Sequence, residues 1–189
     1  MSDFIVKPLE ESTWQDFAQL VEKHNGVWGG CWCLGFHQKG TGSFSKNKEE
    51  KKRRVSAGET HAALVYDGSN AVGWCQFGQA DTLPRIKHKR QYDSELTALP
   101  DWRITCFFVD RDYRGKGIAS IALEGALNEI TRLGGGTVES YPEDVAGRST
   151  SGSFLYNAAL SIFERQGFQR IRRLGKHHWV VRKVVGSRS

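Results

Sequence analysis

Apolar positions along the chain recur with helical spacing in some stretches and form strand-like runs in others. Spacings of three and four residues from Trp14 to Val21 predict a first helix that ends near His24. Ser12 and Gln15, three residues apart, suit a capping box at its start. Further predicted helices cover residues 45–57, 118–133 and 154–166, and predicted strands cover residues 4–6, 62–66, 71–78, 102–109, 137–141, 168–174 and 178–185.

The order of these elements predicts a mixed sheet. Turn residues between 62–66 and 71–78 indicate an antiparallel hairpin, whereas the strand, helix and strand from 102 to 141 indicate a parallel pair with a right-handed crossover. The run WRITCFFV is apolar at alternating positions on both faces, as expected of a central strand covered on both sides. The fold class is therefore α/β, with a mixed, mostly antiparallel sheet flanked by helices.

Length and composition narrow the class of protein. A chain of 189 residues with 39% hydrophobic and 25% charged residues is expected to form one domain over 1–189. No apolar run reaches the length of a membrane span, and the acidic start MSDFIVKPLE lacks the features of a secretory signal. We therefore expect a cytoplasmic protein without a membrane partner, whose four cysteines are reduced and mostly buried.

The net charge of +6 indicates an acidic partner, which could be nucleic acid, a membrane surface or a phosphorylated small molecule. The basic runs at 46–54, 85–90 and 170–173 fall on different elements and largely lack interleaved aromatic residues. The first of them, within SKNKEEKKRR, is interpreted as the solvated face of a helix. Nucleic acid is thus the less favoured partner.

The segment DRDYRGKGIA, after the predicted central strand, has the chemistry of a phosphate site. Gly115 and Gly117 allow close approach of the backbone, and successive amides at a helix start bind anionic oxygens. Arg111, Arg114 and Lys116 add positive charge. The segment fits neither a Walker A loop nor a full dinucleotide-binding fingerprint.

Residues 114–119, RGKGIA, resemble the Arg/Gln-x-x-Gly-x-Gly/Ala signature of the GNAT superfamily of acyl-CoA-dependent N-acyltransferases. As in that family, they follow a hydrophobic strand ending in Val-Asp and precede a long helix, and IFERQGF at 162–168 resembles the family's passage into its Gly-Phe strand. The stretches GGCWCLGFH, VGWCQFG, ITCFFVD and VESYP also resemble a bacterial subgroup of acetyltransferases without assigned substrates. The resemblance covers nearly the whole chain and implies a splayed parallel strand pair that holds acetyl-CoA.

The resemblance also implies roles for residues around that turn. Backbone groups of Phe108, Val109 and Arg111 would hold the pantetheine arm, and a strand amide near Val109 would polarise the thioester carbonyl. The pyrophosphate would lie on the amides of Arg114, Gly115, Lys116, Gly117, Ile118 and Ala119. An acceptor primary amine would then attack the thioester directly in a ternary complex, without a metal.

Two catalytic residues are predicted. Glu139 is the candidate base, with a solvated or salt-bridged carboxylate as the alternative. Tyr156, near the start of the predicted helix 154–166, either protonates the leaving sulfur or only packs, since Phe163 occupies the position of the family's usual tyrosine. A covalent relay through Cys106 is a less favoured alternative.

The stretch GGCWCLGFH is predicted to form a wall on the acceptor side of the cleft. Trp28, Trp32 and Phe36 would supply flat apolar surface, and His37 could handle the proton of the amine. Zinc bound by Cys31, Cys33 and His37 is the alternative, although C-x-C spacing is unusual for such a site. A non-catalytic module that senses acyl-CoA or binds nucleic acid is the competing function, and a homodimer stays open, as does the identity of the acceptor.

Overall fold

The computed structural model describes residues 4–37, 42–147 and 156–186. The strands, in chain order, are β1 (Ile5–Pro8), β2 (His61–Asp67), β3 (Asn70–Gln79), β4 (Trp102–Val109), β5 (Gly136–Ser140), β6 (Gln169–Leu174) and β7 (His178–Val185). The α-helices are α1 (Trp14–Lys23), α2 (Phe44–Ser56), α3 (Lys89–Ser94), α4 (Ile118–Arg132) and α5 (Leu160–Arg165).

One seven-stranded sheet, in the order β1-β2-β3-β4-β5-β7-β6, runs through the described residues. All neighbours are antiparallel except β4 and β5, which are parallel and joined by α4. The predicted α/β class, with a mixed and mostly antiparallel sheet, is confirmed. The hairpin and the strand, helix and strand unit lie within a few residues of their predicted positions because each follows a strong local pattern of side chains.

Helices cover both faces of this sheet. The apolar side of α4, including Ala122, Ala126 and Ile130, packs on the face that also carries Phe163 of α5. The opposite face lies under α1 and the segment that follows it, where Trp74 and Phe108 pack. β4 is therefore buried along nearly all of its length, as its sequence predicts. Among the described helices, none combines the length and apolar character needed to cross a lipid bilayer.

Two predictions about helix ends differ from the structure. The Thr13 hydroxyl, not that of Ser12, accepts a hydrogen bond from the Glu10 amide (2.9 Å), and α1 begins one residue later. The helix predicted over 154–166 is observed only from Leu160, because residues 156–159 are held in other hydrogen bonds to neighbouring segments. Phe154 and Leu155, at its predicted start, lie outside the described residues.

The prediction that α2 presents a solvated face is wrong for part of the helix. Asn47, Lys51 and Val55, at spacings of four residues, are all buried. Asn47 donates to the Gly30 carbonyl oxygen (2.7 Å), so the polar sequence of α2 conceals a face that packs through hydrogen bonds as well as apolar contacts.

Candidate active site

The two parallel strands pair over only a short length. β4 and β5 are in register at Trp102 with Val138 and at Arg103 with Glu139. β4 continues to Val109 while remaining paired with β3 on its other side. One edge of the second half of β4 therefore faces a gap in the sheet.

Residues 156–158 cross this gap. The Phe107 amide donates to the Tyr156 carbonyl oxygen (2.7 Å), and Asn157 Nδ2 donates to the Thr105 carbonyl oxygen (2.8 Å). Both bonds involve backbone groups on the edge of β4 that is no longer paired with β5. Tyr156 therefore precedes α5 and is fixed by its backbone, instead of lying within the predicted helix.

The Val109 amide is directed into the same gap. The next amide, that of Asp110, donates to the Val72 carbonyl oxygen (2.9 Å) on the β3 side. Since successive residues of a strand direct their backbone groups to opposite sides, Val109 offers a donor on the gap side. Phe108 pairs with Trp74 in the β3 register, so its backbone faces away from the gap while its ring lines a cavity.

A cavity of about 450 Å³ lies where β4, the end of α1 and the start of α5 meet. Its volume is within the range of sites that hold small molecules or cofactors. Its walls are largely apolar. The lining residues are His24, Val27, Trp28, Phe107, Phe108, Val109, Arg114, Ala119, Ala158, Ala159 and Ile162.

The predicted phosphate turn forms one end of this cavity. Gly115 and Gly117 have φ angles of +77° and +79°, and a side-chain carbon built on either would meet no atom within 4 Å. Among the described residues, the amides of Gly115, Gly117, Ile118 and Ala119 have no hydrogen-bond partner. Four free donors at the start of a 15-residue helix, next to open space, fit an anionic group such as a pyrophosphate.

The remaining predicted residues of the turn add charge or shape. Arg111, Arg114 and Lys116 are exposed, and Arg114 also lines the cavity. The amides of Arg114 and Lys116 already donate within the turn, so these two residues contribute side chains more than backbone donors. The turn is anchored by Asp110, whose buried carboxylate accepts from Lys23 Nζ (2.6 Å) and from the Asp112 amide (3.1 Å). Burial raises the pKa of Asp110, but these bonds outweigh burial and lower it overall.

An aromatic wall, formed by Trp28 and Phe36, lies beside Tyr156. Trp28 lines the cavity, whereas Phe36 and Tyr156 lie behind it and are not among the lining residues. The ring centroids of Trp28 and Phe36 lie 6.1 and 5.9 Å from that of Tyr156, and Trp28 also meets Phe108 edge to face. The backbone that carries this wall is unusual, because the non-glycine residues Asn25, Val27, Trp28, Trp32 and Cys33 all have positive φ. A β-branched residue such as Val27 at φ +52° is strained, so the wall has a conformation imposed by packing.

Two residues predicted for the acceptor wall lie elsewhere. Trp32 is fully buried, stacks on Trp14 and is absent from the cavity lining. His37 is also buried, with its Nδ1 3.3 Å from Nη1 of Arg54 on α2. Burial, followed by the charges of Lys51 and Arg54, lowers the pKa of His37 to about 3, so its imidazole is neutral at physiological pH. The structure therefore does not bring His37 to the cleft.

Tyr156 has a titratable side chain whose ring lies beside both rings of the aromatic wall. Burial raises its pKa, and the nearby Cys106 and Glu143 raise it further. The phenol is therefore protonated at neutral pH and can act as a hydrogen-bond donor. This state suits a group that gives up a proton.

Glu139 lies on β5, outside the cavity lining. Its side chain has no exposed surface and accepts hydrogen bonds from Arg182 Nε (2.5 Å) and Tyr141 Oη (2.8 Å). It belongs to a buried polar cluster in which the guanidinium of Arg103 lies beside the rings of Tyr92 and Tyr141. These contacts match the alternative to a catalytic base, in which the Glu139 carboxylate is salt-bridged.

The ligands of the alternative zinc site do not converge. Cys33 Sγ lies 3.2 Å from Cys106 Sγ, and His37 faces Arg54. In the described part of the chain, no three His, Cys, Asp or Glu side chains are grouped as a metal ion would require.

Several cavity residues have no sequence motif that would reveal them. His24 ends α1, and its ring lies 4.9 Å from that of Phe108. Ala158 and Ala159 line the cavity just before α5, in a stretch that the sequence predicts to be helical. The small side chains of these alanines leave room beside β4. The sequence alone does not indicate this role, because it depends on the gap between β4 and β5.

Comparisons with known proteins agree with this geometry. The sequence profile described as "Acetyltransferase (GNAT) family" matches residues 12–143. An arylalkylamine N-acetyltransferase like 5b from mosquito has a similar structure, with a TM-score of 0.59, 10% identity and coverage of 97% of this chain and 100% of that one. A ribosomal-protein-S5-alanine acetyltransferase from Vibrio fischeri has a TM-score of 0.54, 12% identity and coverage of 97% and 94%. No curated sequence gives a significant match.

Proposed function

This chain belongs to the GNAT acetyltransferase family and is an acyltransferase, and we propose that it transfers an acetyl group from acetyl-CoA to a primary amine. The observation that supports this most directly is the cavity between β4 and α5, which ends at the free amides of the turn before α4. Its apolar walls suit a pantetheine arm, and those amides suit a pyrophosphate.

The reaction we propose is a direct attack within a ternary complex. The neutral amine of the acceptor adds to the thioester carbonyl, whose oxygen accepts a hydrogen bond from the Val109 amide. The carbon–sulfur bond then breaks, and the sulfur takes the phenolic proton of Tyr156. The position of Tyr156 beside the cavity and its raised pKa support this role.

The proton of the amine needs a separate acceptor. Glu139 was predicted as that base, but its bonds to Arg182 and Tyr141 favour a role in holding the sheet together. We propose that the amine loses its proton through solvent at the mouth of the cavity, with Glu139 as a structural residue. A shift of the acid limb of the pH–rate profile in Glu139→Gln would restore the base assignment.

The acceptor is proposed to bind against the aromatic wall of Trp28 and Phe36, whose rings both lie next to that of Tyr156. Flat rings favour an acceptor with apolar or planar surface next to its amine. The substrates named for the similar structures are properties of those proteins, because identities of 10 to 12% support the fold alone.

The competing binding-module function has less support. Part of the basic charge of α2 is neutralised within the protein, since Arg53 and Arg54 pair with Glu50 and with Glu59. An acyl-CoA sensor would use the same cavity but would not turn over. The four free thiols are consistent with a reducing compartment such as the cytoplasm.

Calorimetric titration with CoA and a thiol-release assay with acetyl-CoA and a panel of primary amines test the proposal. We expect the affinity for CoA to fall strongly as the salt concentration rises, because several anionic oxygens of CoA contact the turn. We also expect thiol release that depends on the presence of at least one amine. CoA binding without any amine-dependent release would favour the sensor. Absence of CoA binding would overturn the proposal as a whole.

A further inference from the structure

Two buried thiols meet on the sheet face that carries α1 and α2. Sγ of Cys33, in the segment after α1, lies 3.2 Å from Sγ of Cys106 on β4, and the two residues are 73 positions apart in the sequence. Both are almost completely buried. The sequence predicted reduced and mostly buried cysteines without pairing these two, so their juxtaposition is a property of the fold.

A buried cation lies close to these thiols. Lys51 of α2 is 1% exposed, and its Nζ donates to Thr60 Oγ1 (3.0 Å) and Gln76 Oε1 (2.6 Å), both of which are neutral. Within the described residues, no carboxylate pairs with it. Burial lowers the pKa of Lys51 overall, whereas the charges of Cys33, Cys106 and Cys31 raise it, so the ammonium form of Lys51 and a thiolate beside it would stabilise each other.

Cys33 is the thiol that these surroundings favour as a thiolate. Trp74 Nε1 donates to its Sγ (3.3 Å), and the amide of the Gln76 side chain donates to its carbonyl oxygen (3.1 Å). Burial raises the pKa of Cys33, but the hydrogen bond between its Sγ and that of Cys106, the charge of Lys51 and the bond from Trp74 outweigh it and lower the pKa overall. The pKa of Cys106 is raised by burial and by Cys33, so the pair consists of one activated and one ordinary thiol.

We propose that Cys33 and Cys106 form a peroxide-sensitive thiol pair that oxidises to an intramolecular disulfide. The Cys33 thiolate attacks one oxygen of hydrogen peroxide, which gives a sulfenic acid at Cys33 and hydroxide as the leaving group. The Cys106 sulfur then attacks the Cys33 sulfur and displaces its hydroxyl group. With the two thiol protons, the net products are one disulfide and two water molecules for each peroxide reduced.

The geometry requires little movement for this reaction. A disulfide needs its sulfur atoms about 2.05 Å apart, so they must approach by roughly one ångström. Peroxide reaches Cys33 when the strained segment around Trp32 and Cys33 opens locally. The resulting bond would tie this segment to β4 next to Phe107, whose amide faces the gap.

Mass spectrometry of the full chain tests this proposal independently of its acetyltransferase activity. The reduced protein is treated with hydrogen peroxide, quenched, unfolded, alkylated at its remaining thiols and digested without reduction. We expect an intact mass lower by two hydrogen atoms before alkylation, and a cross-linked peptide pair that contains Cys33 and Cys106. Dithiothreitol should reverse both changes.

Variants identify the partners and supply controls. Cys33→Ser and Cys106→Ser should each abolish the cross-link, whereas Cys75→Ser should retain it because Cys75 is buried outside the pair. Cys31→Ser should also retain it, and it resolves which cysteine of the peptide between Lys23 and Lys39 reacts. Lys51→Met should slow the reaction by roughly tenfold if the ammonium group stabilises the thiolate.

Other products would contradict the proposal. A cross-link between Cys31 and Cys33, a cross-link between two chains, or oxygen adducts without a disulfide would each overturn it. Since the intact mass and the peptide map of the wild-type protein together separate these outcomes, a variant that fails to fold leaves the test intact. Circular dichroism of each variant before oxidation identifies any such failure.

Discussion

At the scale of single residues, the hydroxyl of Tyr156 is the group whose removal should separate binding from chemistry. In Tyr156→Phe the ring contacts with Trp28 and Phe36 remain, and only the proton donor is lost. We expect the Kd for CoA to stay within about twofold and kcat to fall by roughly 10- to 100-fold. Titration calorimetry and the thiol-release assay measure the two quantities.

A matched change at the neighbouring ring checks this interpretation. Phe36→Leu removes aromatic surface without touching a proton donor, so it should raise KM for the amine more than it lowers kcat. An unchanged kcat in Tyr156→Phe would assign Tyr156 to packing alone.

Glu139 offers the opposite expectation, a loss of stability without a change in chemistry. Glu139→Gln leaves Arg182 without its buried carboxylate partner, and we expect the free energy of unfolding to fall by about 1–3 kcal/mol. Denaturant titration measures the loss, and Glu129→Gln, which breaks the exposed pair with Arg132, is the control with a smaller effect. The pH–rate profile should keep its shape.

At the scale of structural elements, the junction between the turn and α4 combines backbone strain with ligand contact. Gly117→Ala places a side chain at φ +79°, and we expect a loss of about 1–2 kcal/mol in stability. The same side chain points into the open space beside the free amides, so CoA should bind roughly tenfold more weakly.

The hairpin between β2 and β3 contains a control for this change. Gly68 has φ +58° and equally open surroundings, but neither it nor its sequence neighbours line the cavity. Gly68→Ala should therefore cost similar stability while leaving CoA binding unchanged. If both variants bind CoA equally, the amides before α4 are not the anion site.

At the scale of the whole molecule, buried histidines make the fold sensitive to acid. The pKa values of His37 and His178 are lowered to about 3 and about 4, mainly by burial, against an ordinary value of 6.5. Between pH 6.5 and these values, the unfolded chain binds protons that the folded chain does not, so stability falls as the pH is lowered. Each group contributes up to about 1.4 kcal/mol per pH unit within its window.

Denaturant titrations from pH 7 to pH 4 measure this effect. His37→Gln cannot take up the proton on unfolding, so its stability should fall less steeply than that of the wild type. Lys52→Gln, which removes an exposed charge of α2 and leaves every histidine in place, should follow the wild type. Equal slopes in all three proteins would show that His37 is protonated in the folded state.

Local patterns predicted much of this molecule, and long-range contacts account for what they missed. Gly115 and Gly117 were identified because the turn, its charge and the following helix are consecutive in the sequence. The burial of Lys51 and the meeting of Cys33 with Cys106 depend on packing between distant segments. The start of α5 was predicted too early for the same reason, since residues 156 and 157 form hydrogen bonds to β4 instead of helical ones.

The positive φ angles from Asn25 to Cys33 have an implication for how acceptor preference could change. A substitution to glycine at the exposed Asn25 would release torsional strain without removing buried apolar surface, yet it would free the wall that carries Trp28 to adopt other shapes. Changes in this segment that raise the free energy of unfolding should therefore lower the selectivity for the acceptor amine. Laboratory selection for heat resistance would be expected to broaden the range of amines accepted, and selection for a single amine to lower the melting temperature.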